Sequence, residues 1–283
     1  MRAVGITHVA LELSSPTRME RYLRDVFGMQ LLRQGYWKGE YIRVMGFPAQ
    51  PQADRSLLVL YNRPFISRGR LRHVGFAVDV PVDDAIVDLR RRGYEVDAED
   101  VLIGPGDLRI KIDSVRQPRP VSTQDPSTRM AGAPLQASLP CLVRKIHHVA
   151  LECADPDGTL AWQAGVFGMD YTRHHDRRGE IISQIYYSDG TPDAIGRKMS
   201  LLPLFLRRGI GRTDLNHIAF DMADAEAAIG IIESRGAKVD FPQDAIIHGP
   251  EEVWVQIDSV DTPFPINHPA NQTGVTFIPY HNR

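Results

Sequence analysis

Residues 6–13 of this chain, Ile-Thr-His-Val-Ala-Leu-Glu-Leu, alternate apolar with polar positions, the period of a half-buried strand. Ser15-Pro16-Thr17 then carries helix-start chemistry, residues 19–27 follow as a helix, and Gly28 ends it. Three β-type runs come next, near 31–37, 41–45 and 57–61, with Gly and Pro between them. The same order returns three times. The second quarter predicts strand 72–78, a helix over 82–92 ending at Gly93, and strands near 94–97, 100–103 and 108–113. The third predicts strand 145–152, helix 157–167, and strands near 169–175, 180–187 and 199–205. The fourth predicts strand 215–221, helix 224–235 ending at Gly236, and strands near 237–241, 244–248 and 253–258.

The quarters are related in pairs. His8 and His148 are 148 − 8 = 140 residues apart, as are Phe27-Gly28-Met29 and Phe167-Gly168-Met169. His73 and His217 differ by 217 − 73 = 144, and Gly104-Pro105 and Gly249-Pro250 by 249 − 104 = 145. So slow a drift needs only short loop insertions, and the chain is a tandem duplication. A histidine opens every quarter. The expected organisation is a first module over 1–115, a linker or wrapping arm over 116–140, a second module over 141–262 and a tail over 263–283. The linker is interrupted by Pro118, Pro120, Pro126, Pro134 and Pro140, which predicts no packed element. Phe264, Phe277 and Tyr280 in the tail predict a segment that docks on a surface.

Composition narrows the class without naming a reaction. Hydrophobic residues make up 43% and charged residues 24% of the 283, an ordinary globular balance. A net charge of −2 provides no global field to recruit nucleic acid, and Arg68, Arg70 and Arg72 read as solvated surface or local anion contacts. Cys141 and Cys153 lack zinc-type spacing and read as free thiols of a reducing, cytoplasmic compartment. No apolar run approaches membrane-spanning length and the first residues lack a signal-like apolar stretch, so the expectation is neither secretion nor membrane insertion.

Four βαβββ units in two tandem modules, each opening on His-Val/Ile-Ala/Gly-Leu/Phe, resemble the vicinal oxygen chelate superfamily, which includes glyoxalase I, bleomycin-resistance proteins, methylmalonyl-CoA epimerases and type I extradiol dioxygenases. The resemblance covers the chain apart from linker and tail and implies an α+β fold whose paired units close into cups. A two-module chain of this size is most similar to the extradiol dioxygenases. It implies a divalent metal, Fe(II) first and Mn(II) second, on two histidines and a carboxylate, with open positions for substrate. A metal so held chelates two neighbouring oxygens and stabilises developing negative charge.

Carried over residue by residue, the resemblance implies His148 and His217 as ligands in the second module. Gln256 stands where the superfamily has Glu, and Asp258 lies two residues on, on the same strand face, so either Gln256 or Asp258 completes the site, Asp258 otherwise lining the substrate pocket. The first module offers His8 and His73, but Lys111 stands at the third position, and a lysine ammonium is all donor. The first cup is therefore expected to be metal-free. His248 is the candidate for proton transfer, and Trp254 and Tyr186 are candidates to wall a substrate. The expected activity is an extradiol-type dioxygenase acting on a small aromatic or vicinal-oxygen substrate in the second cup. The alternatives are a metal-free sequestering protein and a glyoxalase- or epimerase-like proton-transfer enzyme. Sheet edges that need covering imply a homodimer or larger homo-oligomer.

Overall fold

The computed structural model describes residues 1–47, 57–114, 129–132, 139–168, 171–175, 181–185, 202–240, 245–259 and 273–278. The first module runs β1 (Ala3–Leu13), α1 (Pro16–Phe27), β2 (Gln30–Trp37), β3 (Glu40–Gly46), β4 (Leu57–Asn62), β5 (Arg70–Val78), α2 (Val82–Arg91), β6 (Val101–Gly104) and β7 (Leu108–Ser114), then β8 (Arg129–Gly132). The second runs β9 (Val143–Cys153), α3 (Pro156–Phe167), β10 (Tyr171–His175), β11 (Ile181–Ile185), β12 (Leu204–Leu206), β13 (Asp214–Met222), α4 (Ala225–Ser234), β14 (Val239–Asp240), β15 (Ile246–His248) and β16 (Trp254–Asp258), then β17 (Thr273–Ile278). Within each module the two units share one mixed sheet, ordered β6-β7-β5-β1-β4-β3-β2-β8 and β14-β15-β16-β13-β9-β12-β11-β10-β17. The opening strands of the two units lie antiparallel side by side, β1 on β5 and β9 on β13. This is the α+β architecture of paired βαβββ units, and the pairing joins consecutive units.

Two expectations change. The stretch 94–97 is not a strand: only Val96 bridges to Leu102. The Asp97 N–H donates to the Val101 carbonyl and the Ile103 N–H to the Glu95 carbonyl, and pairing stops there because the Asp97 carboxylate accepts the N–H groups of Glu99 and Val101 and turns the chain. The linker, read as unpacked, contributes β8, which pairs antiparallel with β2 at the sheet edge. The tail contributes β17, which pairs with β10 in the same way. The partner of Arg33 is Gly132 and that of Arg173 is Thr276, so the repeat extends into both segments. Each covers an edge that would otherwise present free backbone groups.

The helices pack on one face of each sheet. α1 buries Met19, Leu23, Val26 and Phe27 and ends at Gly28, whose φ of 73° is the left-handed conformation that closes a helix. A single hydrophobic core runs through both modules, and the contacts across it come in pairs exchanged by the repeat. Phe27 meets Phe220, and Phe76 meets Phe167. The Gly69 N–H donates to the Glu251 carbonyl, and the Thr213 N–H to the Gly106 carbonyl. Arg235 donates to the Val26 carbonyl at the end of α1, and Arg92 to the Val166 carbonyl at the end of α3. A cation at a helix C-terminus satisfies unpaired carbonyls and the helix dipole. The modules are thus related by a pseudo-twofold that buries the helix side and leaves the opposite face of each sheet as a cup.

Candidate active site

Strict alternation fails where it matters most. In β1 the buried positions Ala3, Ile6, Val9, Leu11 and Leu13 are spaced three, three, two, two, and the register with β5 shifts between Ile6 and His8. In β9 the register with β13 shifts between Ile146 and His148. Such a β-bulge turns two consecutive side chains to one face. His147 therefore joins His148 in the second cup, as Thr7 joins His8 in the first. A second pair of bulges lies at Arg72 in β5 and Asn216 in β13, each just before the histidine of that strand.

In the second cup the Nε2 atoms of His148 and His217 face each other at 3.1 Å, and both residues are buried. Two nitrogens each about 2.1 Å from one ion and at right angles lie about 3.0 Å apart. The pair is spaced as adjacent ligands of a single cation. The far side of each ring is held as well. His217 Nδ1 lies 2.7 Å from Asn216 Oδ1, and Asn216 Nδ2 donates to Glu152 Oε1 at 3.0 Å. The carboxylate accepts only, which fixes the amide with its oxygen toward His217. His217 thus carries its proton on Nδ1 and aims the Nε2 lone pair into the cup. His148 Nδ1 lies 2.7 Å from His147 Nδ1, and His147 Nδ1 lies 3.7 Å from Asp258 Oδ2. In the tautomer in which His148 donates to His147, its Nε2 lone pair joins that of His217 and both face the cup; in the other, His148 Nε2–H donates to His217 Nε2. Burial pushes the His148 imidazole well below the ordinary value of 6.5; His147 and His217 push the same way, and a hydrogen bond with Gln256 opposes them. The ring is neutral at pH 7 and able to ligate.

The third position follows from the register. Gln256 pairs with Ala219, which pairs with His148, so the three share one row across the sheet. Asp258 is one step beyond, fully buried, with one carboxylate oxygen accepting the Ser259 N–H and the other 3.7 Å from His147 Nδ1. His147, His148 and Asp258 place their ligand-type atoms within 4.8 Å of one another, the one such cluster among the described residues. Groups able to ligate a divalent ion therefore gather here: the His148 and His217 imidazoles, the Gln256 amide on the row of His148, and His147 with Asp258 behind it. These residues fit a metal: outer groups that orient ligating histidines are a recurrent part of such sites.

His248 is exposed at the cup rim and stacks on Trp254, with ring centroids 4.8 Å apart and planes 5° apart. Its strand partner is Trp254, whereas that of Gln256 is Ile246. Tyr186 lies outside the described residues. Phe205 supplies an aromatic wall against His217, with centroids 6.2 Å apart. His147, Asn216 and Phe205 escaped the sequence reading. The spacing of three between Val143, Ile146 and Val149 was the available signal for the first of them.

The first cup keeps the histidine pair, with Nε2 atoms 2.9 Å apart. His8 Nδ1 lies 3.1 Å from Asp113 Oδ2, and Thr7 donates to the same oxygen at 2.6 Å. Burial raises the Asp113 carboxyl, but the His8 and Thr7 interactions outweigh it and hold the group below the usual value. His8 lies so close over Gly75 that a Cβ there would meet its Nδ1 at 2.2 Å. Lys111 does not join the pair; its Nζ donates to the Glu99 carbonyl.

No protein-family model matches the sequence, and no curated protein does. Solved structures do match. A mutant of 4-hydroxymandelate synthase from Streptomyces coelicolor is 12% identical with a TM-score of 0.63, over 90% of this chain and 92% of that one. A catechol 2,3-dioxygenase is 14% identical with a TM-score of 0.60, over 95% and 96%. The Mn(II)-bound glyoxalase from Novosphingobium aromaticivorans is 14% identical with a TM-score of 0.61, over 94% and 85%. The chain has the vicinal oxygen chelate fold, in its two-module form.

Proposed function

We propose that the chain is a divalent-metal enzyme of the extradiol-dioxygenase type, working in the cup of the second module. The observation that carries this reading is the pair of Nε2 atoms at 3.1 Å with both rings oriented from behind. His148, His217 and Gln256 would hold Fe(II) or Mn(II), which when bound supplies Lewis acidity to two adjacent substrate oxygens. Asn216 and His147 hold the ligand rings in the tautomers that bind. Phe205 and Trp254 wall the cup with aromatic surface suited to a planar ring, and such contacts orient a substrate through burial and edge or face packing. His248 at the rim holds a proton-carrying group against Trp254, where a substrate enters. The fold likeness to a catechol 2,3-dioxygenase supports the substrate class, a small aromatic with neighbouring oxygens.

The test is Mn(II) binding by electron paramagnetic resonance on untagged protein, with and without 4-nitrocatechol. The expected result is one ion per chain, bound more tightly with the catechol, whose negative charge supplements a neutral donor set. Absence of binding in both conditions would replace the enzyme with a metal-free binding protein. The neutral Gln256 in the ligand row is what favours that second reading.

A further inference from the structure

The cup of the first module differs from its twin in charge. The repeat equates Arg72 with Asn216 (216 − 72 = 144), and Arg109 with Trp254 and Lys111 with Gln256 (254 − 109 = 145 and 256 − 111 = 145). On β7 these residues occupy the alternate positions 109, 111 and 113, the face of Asp113 and hence of His8. The first cup therefore carries three cations where the second carries an amide, an indole and an amide. Its acids do not compensate. Glu12 has the twin Glu152, Glu40 has Glu180 and Asp113 has Asp258, so both modules carry them. The excess is three positive charges.

Two of the three, Arg72 and Arg109, converge on a space with Arg63 and Arg212. Arg63, Arg72, Arg109 and Arg212, from three strand ends and the loop before β13, line a cavity of about 270 Å³ together with the acids Glu12 and Asp107. Arg72 lies flat over the Tyr61 ring, 4.2 Å from its centroid, and Tyr61 packs edge-on to His73. Arg72 also reaches Glu40 at 2.8 Å and Glu12 at 3.6 Å, and Arg63 pairs with the same two acids, while among the described residues the ion-pair partner of Arg109 is the exposed Asp107 two residues away, and Arg212 lies 3.9 Å from Asp214. A guanidinium presents paired donors that match carboxylate and phosphate oxygens. Tyr61, Trp37 and Ile42 add apolar surface on the same face of the sheet.

We propose that the first cup is an anion site, taking a small molecule with an oxyanion group of the carboxylate or phosphate class. The duplication has thus produced two cups of opposite preference, a cation held in the second and an anion in the first. The first cup's role is independent of whether the second holds metal.

Isothermal titration of the full chain at low salt, with benzoate and with inorganic phosphate as separate probes and chloride as the ionic-strength control, decides the matter. One of the two probes should bind saturably, one per chain. Arg109→Gln and Arg72→Asn should each weaken it by about tenfold or more, with folding checked by circular dichroism. Arg91→Gln, a surface change elsewhere, should leave it intact. Benzoate alone binding assigns a carboxylate, and phosphate alone assigns a phosphate. Failure of both probes, or binding that survives Arg109→Gln and Arg72→Asn together, would overturn the proposal. So would a second Mn(II) per chain lost in His73→Ala.

Discussion

In the second module Asn216 lends an amide oxygen to His217, while in the first the same bulge position carries Arg72, which has donors only. The two cups otherwise share their backbone, their histidine pairs at 3.1 and 2.9 Å, and an aromatic ring against the second histidine. The amide oxygen behind His217 fixes its proton on Nδ1, and Arg72 offers no such acceptor at the equivalent position. The neighbours reinforce this. Burial lowers His73 most, and His8, Arg72, Lys111 and Arg109 all oppose a positive charge on it, whereas the groups that act on His148 beyond burial are His147, His217 and the Gln256 amide, with no Arg or Lys among them. Duplication preserved the scaffold, and a few side chains reversed the electrostatics of what it holds.

Breaking the comparison at its centre should have the largest effect. His217→Ala is expected to abolish Mn(II) binding, and His73→Ala to leave it unchanged, as read by metal content after desalting. The shared core should give the next largest effect. Phe220, which packs on both Phe27 and Phe47, should cost about 3–5 kcal/mol when replaced by Ala. Its twin Phe76, packed on Phe167, should cost less. Urea denaturation of both variants measures the difference. Asn216→Leu removes the acceptor without touching a ligand and should weaken Mn(II) by about 10–100-fold, whereas Gln256→Glu should tighten it. Equal affinities in wild type and Asn216→Leu would remove the tautomer argument.

The smallest expected effect is a pH dependence of stability. His73 and His148 have folded-state values depressed below 6.5, so the unfolded chain takes up protons first as the pH falls. Stability is then fully present above about pH 7 and declines as pH drops through the unfolded value. Denaturation midpoints at about pH 8 and pH 5.5 should differ, and less so in His148→Asn, where a buried titrating group is gone. A midpoint independent of pH in this range would mean that both rings take up protons alike in the folded and the unfolded chain.

Much of the molecule was legible before its structure. The offsets of 140 to 145 gave the repeat, and the histidine-led runs gave the four opening strands with ends within about three residues. Helix α1 followed from Ser15-Pro16-Thr17 and Gly28, and α2 to α4 from the repeated order of elements and from Gly93, Gly168 and Gly236. Of the candidate site, the positions of His148, His217 and Gln256 on adjoining strands were legible, because equivalent positions in a repeat can be compared directly. It was not legible at His147 and Asn216, since simple alternation assigns neighbours of the ligands to the opposite face. The linker's β8 was missed because its prolines and polar residues obey no strand period, and only an open partner edge on β2 makes a strand of it.

The sequence by itself determined the duplication, the order of elements and the charges of each cup, because these depend on residue identity and short-range spacing. Only the tertiary structure decided which side chains stand together. The bulges at Thr7, Arg72, His147 and Asn216 arise from mismatched register between strands about 65 to 70 residues apart, and they turn those residues into the cups. The hydrogen bond from Asn216 to Glu152 and the pairing of the modules across Phe27 and Phe220 likewise need partners brought from distant segments. Such contacts form only when the whole sheet closes, so no local pattern in the chain records them.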